Sequence, residues 1–414
     1  MDISRRTLLT GAAALAVPTS SFAGVFQDRP TIKVGLIGCG GRGSGAIRDN
    51  LAAEEGAVVY AMADLFEDRV KGCLEGLKKD LPKRVNVGDR TFFGLDAYQK
   101  LLASGVDVVI LATPPGFRPG HIRAVINAGK HLFTEKPVAV DGPGIRDVIE
   151  SARLAKEKNL TIVAGTQRRA DLAYMECMKR VHDGDIGDIL SMNCYWNQGG
   201  LWMVPRKDGM TDLEHHVRNW LYYTYLSGDH IVEQHVHNLD VCNWAMRGHP
   251  VKAISMGGRQ SRVDPAYGHI YDHFATEYEY EGGIKLMSYC RQIDGCAQNV
   301  SELIVGSKGR TNANTSIKGE KSWRWEGDRP NPYMLEHRRL YKSIKASEGY
   351  NEGVQVAEST LTAIMGRMSA YSGEEVTWEK ALNSQVSLMP SNLTMDTPIP
   401  VPPVAIPGTT KGAY

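Results

Sequence analysis

Residues Thr31–Gly43 read TIKVGLIGCGGRG, and this stretch decides the fold of the N-terminal half of the chain. An apolar, β-branched run predicts a buried strand, and it leads into three glycines at G-x-G-x-x-G spacing, Gly38, Gly40 and Gly43. Helix-compatible sequence follows from Ser44. Such glycines turn the chain, allow close approach of the backbone to a ligand and let the helix pack on the strand. Unpaired N–H groups at the helix start bind a pyrophosphate, so the stretch predicts a dinucleotide site.

A second element supports this interpretation. Val58–Ala63 predicts the next strand, which ends in Asp64, at the distance expected for the acid that binds a dinucleotide ribose. Asp64 favours NAD over NADP because its negative charge repels a 2′-phosphate. The structural alternative is a turn or helix-capping aspartate.

The N-terminus carries the pattern of an export signal. Residues 4–9 read SRRTLL, a short apolar region follows at Leu8–Val17, and Ser21-Phe22-Ala23 offers a cleavage site. We therefore expect a twin-arginine signal peptide over residues 1–23 and a periplasmic or otherwise exported protein that folds around its dinucleotide before export. A membrane anchor is the alternative, but the apolar region is shorter than the about 20 residues of a spanning helix. We expect no membrane span in the mature chain.

The composition excludes several partners. A formal net charge of +1 gives no indication of binding to nucleic acid, an acidic membrane or a polyanion. The seven cysteines are scattered without a C-x-x-C pair, so no zinc site or redox motif is predicted. We expect buried thiols, no nucleic-acid partner and no metal.

Strand and helix patterns alternate up to about residue 165. The further strands are predicted over Val106–Ala112, Lys130–Thr134 and Thr161–Ala164, with helices over residues 121–128 and 144–158. Polar groups follow the ends of these strands, which is where open α/β sheets bind ligands. We expect a doubly wound parallel sheet over residues 24–165.

The pattern changes after residue 185. Short apolar runs occur at Ile189–Trp196, Lys252–Gly257, His273–Glu281, Ile284–Arg291 and Glu302–Gly306, and Glu281-Gly282-Gly283 is typical of a hairpin turn. We expect a second, α+β domain over residues 166–385 with a mainly antiparallel open sheet. Its final helix, residues 351–372, is expected to pack back on the first domain. Residues 386–414, rich in Pro, Thr and Ser, predict an irregular tail.

Six motifs occur in an order that resembles the glucose-fructose oxidoreductase, inositol dehydrogenase and rhizopine-catabolism (Gfo/Idh/MocA) family. They are Gly38-x-Gly40-x-x-Gly43, Asp64, Ala112–Pro115, Glu135-Lys136-Pro137, Gly165–Arg169 and Glu233-x-x-x-His237-x-x-Asp240. The resemblance covers nearly the whole mature chain and implies a Rossmann domain, an NAD cofactor and a homo-oligomer, either dimer or tetramer, formed through the open sheet. The implied cofactor-binding residues are Gly38, Gly40, Gly41, Arg42, Gly43, Asp64, Thr113, Pro114, Pro115, Glu135, Lys136, Gln167 and Arg168.

The resemblance also implies the catalytic residues. Lys136 corresponds to the lysine that bonds the reacting hydroxyl, and an ammonium at a strand end can stabilise a developing alkoxide. His237 corresponds to the general base, a task that suits the pKa of histidine. The family usually places Asp four residues before this histidine and Gly between them, whereas this chain has Glu233 and His235.

Helical spacing tests that assignment. At ~100° per residue, His230, Glu233 and His237 share one face of a continuous helix, with His235 nearly opposite. We therefore expect Glu233 to contact His237 and to raise its pKa, and His235 to pack elsewhere. The alternative is that His230, Glu233 and His237 bind a divalent metal, for which the chain has no accompanying ligand motif.

The segment from Asn193 to Gly228 is the candidate substrate wall, because it is rich in aromatic, Arg and His residues. Aromatic faces stack on sugar C–H surfaces while polar groups bind hydroxyls. The expected substrate-binding residues are Trp196, Arg218, Trp220, Tyr223 and His237, and the alternative for each aromatic residue is a place in the core.

These features predict an NAD(P)-dependent oxidoreductase with tightly bound cofactor, which transfers hydride to or from a hydroxyl carbon of a sugar, polyol or glycoside. One alternative is an NAD-dependent glycoside hydrolase that works through a transient keto-sugar by oxidation, elimination, hydration and reduction. The Tyr-Pro-Thr-His-Gly-like run that we associate with that branch is absent, and Val232–His237 takes its place. A sugar-binding protein without turnover is a second alternative, disfavoured by the presence of Lys136 and His237.

Overall fold

The computed structural model describes residues 31–409 of the 414-residue chain. The predicted signal peptide therefore lies outside the described residues. Within the described part, no helix is both long enough and apolar enough to cross a membrane.

Parallel strands form the first sheet, in the order β3-β2-β1-β4-β5-β6. Their bounds are β1 (Ile32–Ile37), β2 (Ala57–Asp64), β3 (Thr91–Phe93), β4 (Val108–Leu111), β5 (His131–Thr134) and β6 (Ile162–Ala164). The side chains of β4 are all buried, as its continuous apolar sequence predicts. Because β1 and β4 are neighbours, the winding direction reverses between them, and a crevice opens there at the carboxyl ends of the strands.

Helices connect these strands. They are α1 (Gly41–Ala53), α2 (Glu67–Asp80), α3 (Ala97–Ala103), α4 (Arg118–Asn127) and α5 (Gly142–Glu157). Helix α4 begins before the predicted start at residue 121, because Pro119 occupies its first turn, where a missing N–H costs no hydrogen bond.

The second sheet of the described chain has the order β14-β13-β12-β11-β7-β10-β9-β8-β15. Its strands are β7 (Ile189–Gln198), β8 (Lys252–Gly258), β9 (His273–Glu279), β10 (Lys285–Gln292), β11 (Asn299–Gly306), β12 (Gly309–Thr311), β13 (Ser316–Gly319), β14 (Trp323–Arg324) and β15 (Val376–Thr377). Only the β7–β10 pair of this sheet is parallel in the described residues. The predicted fold class, a parallel doubly wound sheet followed by a mainly antiparallel one, is confirmed.

Further helices pack on one face of this sheet and against the first domain. They are α6 (Leu172–His182), α7 (Asp212–Arg218), α8 (Thr224–Ser227), α9 (His230–Glu233), α10 (Val236–Met246), α11 (Pro332–Ala346), α12 (Gly353–Ser372) and α13 (Trp378–Leu382). Helix α12 reaches the first domain, where its Arg367 donates to the Val140 carbonyl oxygen at 2.8 Å. Helix α11 is not predicted by the sequence patterns above, and it packs on α1 through a 2.7 Å hydrogen bond from the Tyr341 hydroxyl to Asn50 Oδ1.

Residues 383–409 contain no regular element and run along the protein surface. They are attached by backbone contacts, including Leu388 N–H to Asp141 at 2.7 Å and Gly408 N–H to the Ser372 carbonyl at 2.8 Å. The cysteines at 39, 73, 177, 194, 242 and 290 are buried, but Cys296 is exposed, which corrects the expectation of buried thiols throughout.

Candidate active site

The glycine turn after β1 has the geometry that its sequence predicts. Gly38 has a φ of +94°, and a Cβ at this position would lie 2.7 Å from the Ala112 backbone at the end of β4. A Cβ at Gly43 would lie 1.8 Å from the Gly38 carbonyl oxygen. Both positions therefore require glycine, the first for its conformation and for the neighbouring strand, the second for the contact between helix and turn.

The start of α1 fits a dinucleotide pyrophosphate. No side chain caps this helix, and its first turn carries no acidic residue. A Cβ at Gly40 or Gly41 would meet no atom within 4 Å, so space is open beside the first N–H groups. Uncapped N–H groups facing open space favour an anion.

Asp64 ends β2 and binds back to the glycine turn. Its carboxylate accepts from the Cys39 N–H at 2.6 Å and from the Phe66 N–H at 3.0 Å. Burial raises the pKa of Asp64, and these two amides oppose the rise. Asp64 makes the turn contacts of the structural alternative, and its remaining lone pairs are compatible with the predicted bonds to ribose hydroxyls.

Two predicted cofactor residues contact each other across the crevice. Arg42 Nε lies 2.8 Å from Glu135 Oε1, and the Arg42 guanidinium lies 4.8 Å from the ring centre of Tyr333 on α11. Glu336, also on α11, is buried near this pair, and burial and Glu135 raise its pKa well above the usual value. Tyr333 and Glu336 were missed because α11 itself was not predicted.

The Thr113-Pro114-Pro115 stretch follows β4 and forms the other side of the crevice. Thr113 Oγ1 lies 3.3 Å from His121 Nδ1, and a short 3-10 helix begins at Pro115. Arg118 follows, buried beside Glu135 and Glu233, and donates to the Pro137 carbonyl oxygen. Burial lowers the pKa of Arg118 to about 10. Arg118 precedes the helix that was predicted to begin at residue 121, and no sequence motif indicated that this arginine would be buried at the site.

Lys136 connects the two domains at the end of β5. Its ammonium donates to the backbone carbonyl oxygen of Glu233 at 2.7 Å and lies 3.4 Å from Glu233 Oε1. Both side chains are 10% exposed. A cation and a carboxylate from different domains therefore meet in a nearly closed site.

His237 lies in the same region and is held against an aromatic ring. Its imidazole stacks on Trp196 of β7 with the ring centres 5.7 Å apart. Burial lowers the pKa of His237 well below its usual value, and the charges of Lys136, Arg168 and Arg42 act in the same direction. The imidazole is therefore neutral at neutral pH, the form that accepts a proton.

The predicted contact between Glu233 and His237 is wrong. The helix breaks between α9 and α10 at Gln234 and His235, so Glu233 reaches Lys136 and makes no hydrogen bond or ion pair with His237. The predicted rise in the pKa of His237 is corrected to a fall, because burial disfavours the charged imidazolium and the nearby cations act in the same direction. His235 packs elsewhere, with its Nε2 at 2.7 Å from Ser288 Oγ.

The helix break also separates His230 and Glu233, which lie on α9, from His237, which lies on α10, so the three proposed metal ligands do not share one helix face. His230 Nδ1 lies 2.9 Å from Asp229 Oδ1, and its ring packs against Phe274. Among residues 31–409, no group of three or more His, Cys, Asp or Glu residues could hold a metal ion.

Arg168 pairs with a residue that the sequence did not indicate. Its guanidinium forms a buried ion pair with Glu302 of β11 and lies 5.8 Å from the ring centre of Trp196. Asn238 donates to the same carboxylate at 2.6 Å, and Tyr174 donates to its second oxygen at 3.2 Å. Glu302 thus fixes Arg168 near His237. Its position 134 residues away explains why sequence patterns missed it.

The predicted substrate residues separate into two groups. Trp196 lines the site beside His237, whereas Trp220 packs against Trp202 at 5.8 Å between ring centres. Tyr223 is 2% exposed, stacks on His216 and bonds to His215, so its assignment as a substrate residue is corrected to a core residue. Arg218 is also corrected, because it forms ion pairs with Asp68 and Glu214.

Polar atoms without partners remain at the centre of the site. In the described chain, Thr166 Oγ1, Gln167 Oε1 and Glu233 Oε2 are buried without a hydrogen-bond partner. Buried polar atoms are normally satisfied, so these positions fit a polar ligand at the carboxyl end of the sheet. The glycine turn, Asp64 and this set together fit a dinucleotide whose reactive end lies near Lys136 and His237.

Two family models match the chain. The model described as an oxidoreductase family with an NAD-binding Rossmann fold matches residues 32–166, and the GFO/IDH/MocA C-terminal domain matches residues 174–312.

Curated relatives and solved structures show the same likeness. A glycosyl hydrolase family 109 protein of Streptomyces coelicolor is 31% identical over 45% of this chain and 43% of its own length. Inositol 2-dehydrogenase 3 of Saccharopolyspora erythraea is 28% identical over 62% of this chain and 65% of its own. The chain therefore spans less than two thirds of either relative.

The structure of the WlbA dehydrogenase from Bordetella pertussis, in complex with NADH and UDP-GlcNAcA, superposes with a TM-score of 0.62. It is 18% identical, over 84% of this chain and 98% of its own, and this likeness shows the shared fold. With both domain models matched in order, the chain belongs to the GFO/IDH/MocA family of oxidoreductases, whose first domain is an NAD-binding Rossmann fold.

Proposed function

We propose that the protein is an NAD-dependent oxidoreductase that holds its cofactor tightly and acts on a hydroxyl carbon of a sugar, polyol or glycoside. The observation that carries the proposal is the meeting of Lys136, Glu233 and His237 at the carboxyl end of the sheet that binds the dinucleotide. A cation and a neutral imidazole in one nearly closed site suit removal of a hydroxyl proton.

The proposed roles follow from these contacts. NAD, which the glycine turn and Asp64 would hold, would supply the hydride acceptor for the substrate carbon. Neutral His237 accepts the hydroxyl proton, and the Lys136 ammonium stabilises negative charge on the same oxygen. Glu233 holds Lys136 in place and balances its charge, while Trp196 offers a flat face to the sugar beside His237.

A glycoside hydrolase that uses NAD cyclically is the second candidate. The observation in its favour is the 31% identity to a glycosyl hydrolase family 109 protein of Streptomyces coelicolor. In this scheme oxidation of a ring hydroxyl acidifies the neighbouring C–H, elimination breaks the glycosidic bond, and water and hydride are then returned. His237 and Lys136 would serve the oxidation step of both candidates.

One experiment tests the proposal and separates the candidates. The purified protein is denatured and the released dinucleotide is identified by mass spectrometry. The native protein is then incubated with sugars, polyols and glycosides, and both keto-sugar and free reducing sugar are measured. Oxidised product without cleavage supports the dehydrogenase, and cleavage without added NAD supports the hydrolase. Absence of both products, or of any bound dinucleotide, contradicts the proposal.

Export and assembly are further parts of the proposal. The support for twin-arginine export to the periplasm is the Ser4–Leu9 pattern with its apolar region. The support for a homo-oligomer is the outward face of the second sheet, where Ile254, Met256 and Tyr289 are 52%, 74% and 38% exposed. Exposed apolar side chains on β8 and β10, the two strands that flank β9, favour contact with a second copy. Light scattering of the protein and of Met256→Arg tests this, since a monomer in both samples contradicts it.

A further inference from the structure

Arg218 joins the second domain to the segment that follows β2, where Phe66 immediately precedes α2 and Asp68 lies in the first turn of that helix. Its Nη1 and Nη2 donate to the two carboxylate oxygens of Asp68 at 3.1 and 3.2 Å. The guanidinium also lies 4.1 Å from the ring centre of Phe66. A bidentate pair combined with a cation–π contact fixes the position of an arginine more firmly than a single surface ion pair.

The segment that Arg218 contacts begins directly after the predicted ribose-binding acid, Asp64, the last residue of β2. Phe66 and Asp68 lie within the next turn of chain, and the Phe66 N–H donates to the Asp64 carboxylate at 3.0 Å. In a Rossmann domain, an adenosine ribose bound to this acid lies beside the loop after the second strand. Arg218 therefore acts at the adenosine end of the cofactor site, far from the reacting atoms at Lys136.

Arg218 lies on a segment that is folded as a unit, and we call residues 199–227 the covering segment. Within it, Trp202 Nε1 donates to the Arg218 carbonyl oxygen at 3.1 Å. Val204 and Asn219 exchange two hydrogen bonds, of 2.8 and 2.9 Å. Because these bonds tie the segment together, its contact through Arg218 restrains more than one side chain.

The covering segment also contacts the loop after β4, on the other side of the crevice. Leu65 from the first loop and Phe117 from the second pack against its buried cluster of Leu213, Leu221 and Tyr223. At Gly116, a Cβ would lie 2.0 Å from the Tyr225 carbonyl oxygen, so the backbones are in close contact. The segment thus spans the two loops that border the adenosine side of the crevice.

We propose that the Arg218–Asp68 contact holds the covering segment closed over the adenosine end of NAD and so slows exchange of the cofactor. This rests on the proposed function, because it assumes that NAD binds at Asp64. Arg218 is a positioning residue, since it acts through the two loops and touches neither substrate nor reacting atoms. The contact joins two protein side chains and does not involve the cofactor, so opening of the segment is required both for binding and for release.

The test measures exchange of NADH by stopped-flow fluorescence. Association is measured with cofactor-free protein, and release is measured by mixing the NADH complex with excess NAD. Arg218→Gln and Asp68→Asn should each raise both rates about 2- to 5-fold, the range expected when a partly exposed ion pair is lost. The equilibrium dissociation constant should change less than either rate, because both directions need the same opening.

Three further variants make the test specific. Arg206→Gln breaks the exposed Arg206–Asp212 pair on the same segment, which does not involve the first domain, and should leave both rates unchanged. The double variant Arg218→Gln with Asp68→Asn should exchange NADH no faster than either single variant. Exchanging the charges, by Arg218→Asp with Asp68→Arg, should restore slow exchange.

The outcomes distinguish this inference from the proposed function. If the unaltered protein binds no NADH, both are overturned. If it binds NADH and Arg218→Gln exchanges at the same rates, with an unchanged melting temperature, the role of the contact is overturned and the proposed function stands. Faster exchange in Arg206→Gln as well would show general loosening of the segment and would also overturn it.

Discussion

Lys136 and Glu233 are 97 residues apart in the sequence, yet the Lys136 ammonium donates a 2.7 Å hydrogen bond to the Glu233 backbone carbonyl oxygen. This bond attaches the end of β5 to the break between α9 and α10. The same break turns His237 toward Trp196 and away from Glu233. The geometry of the candidate active site therefore depends on how the two domains pack against each other.

His237→Ala should reduce turnover by about 10²–10⁴, because the proton acceptor is lost. Bound dinucleotide should be unchanged, since the glycine turn and Asp64 belong to the first domain. Turnover on the substrate found by the screen and dinucleotide content after gel filtration provide the measurement. His249→Ala is the control, because His249 stacks on Trp378, outside the site. Near-native turnover of His237→Ala would require another base.

Lys136→Met should move the acidic limb of the kcat/KM profile to higher pH. The Lys136 charge lowers the pKa of His237, so its removal raises that pKa and protonates the base at a higher pH. The profile is measured beside that of Lys130→Met, which changes a half-buried lysine just before the other end of β5. If the acidic limb of the Lys136→Met profile stays in place or moves to lower pH, the proposed effect of the Lys136 charge on the pKa of His237 is contradicted.

Asp64→Ala should weaken NAD binding and narrow the preference for NAD over NADP, because the charge that repels a 2′-phosphate is removed. Asp64→Asn is a matched variant that keeps the side-chain size. The dissociation constants of NAD and NADP are measured by calorimetry for each variant, and their ratio gives the cofactor preference. General damage to the glycine turn would weaken both cofactors equally, and that result would contradict ribose recognition by Asp64.

Arg5→Lys combined with Arg6→Lys should leave a folded precursor in the cytoplasm, because the translocon recognises the arginine pair. Cell fractionation and immunoblotting follow the protein. Arg29→Lys, beyond the predicted cleavage site, is the control and should be exported normally. Periplasmic accumulation of the double variant would exclude the twin-arginine interpretation.

Acid should destabilise the protein before its carboxylates titrate. Burial lowers the pKa of His269 to about 4 and that of His337 to about 3, so both stay neutral in the folded chain near pH 5. The unfolded chain binds protons at these residues below about pH 6.5. Their contribution to the free energy of unfolding is therefore complete above pH 6.5 and is lost as pH falls toward 4.

Urea unfolding at pH 7.5, 6.5 and 5.5 measures this effect. Each such histidine contributes a slope of up to about 1.4 kcal/mol per pH unit below its unfolded pKa. His337→Gln, which keeps a hydrogen-bond acceptor for Asn50, should reduce the slope between pH 6.5 and 5.5. A free energy of unfolding that is the same at all three pH values, or an equal slope in the variant, contradicts the prediction.

The glycine turn, the strands and the order of the two sheets follow from local sequence. Gly38 needs a positive φ, and apolar runs such as that of β4 fit a position between two layers of helices. Helix α11 escaped prediction because basic and acidic residues interrupt its apolar positions, and its buried face contacts a partner far away in the chain. A sequence shows patterns that depend on neighbouring residues. The buried face of α11 depends on a contact with a distant part of the chain, so the sequence does not show it.

The sequence by itself determined the dinucleotide turn, the family and the presence of Lys136, Glu233 and His237. Only the tertiary structure decided that Glu233 contacts Lys136, that Arg218 binds Asp68, and that the pKa of His237 falls. The physical reason is that backbone conformation depends on residues adjacent in the chain. Ion pairing and desolvation depend on distances through space, which are set when the two domains pack together.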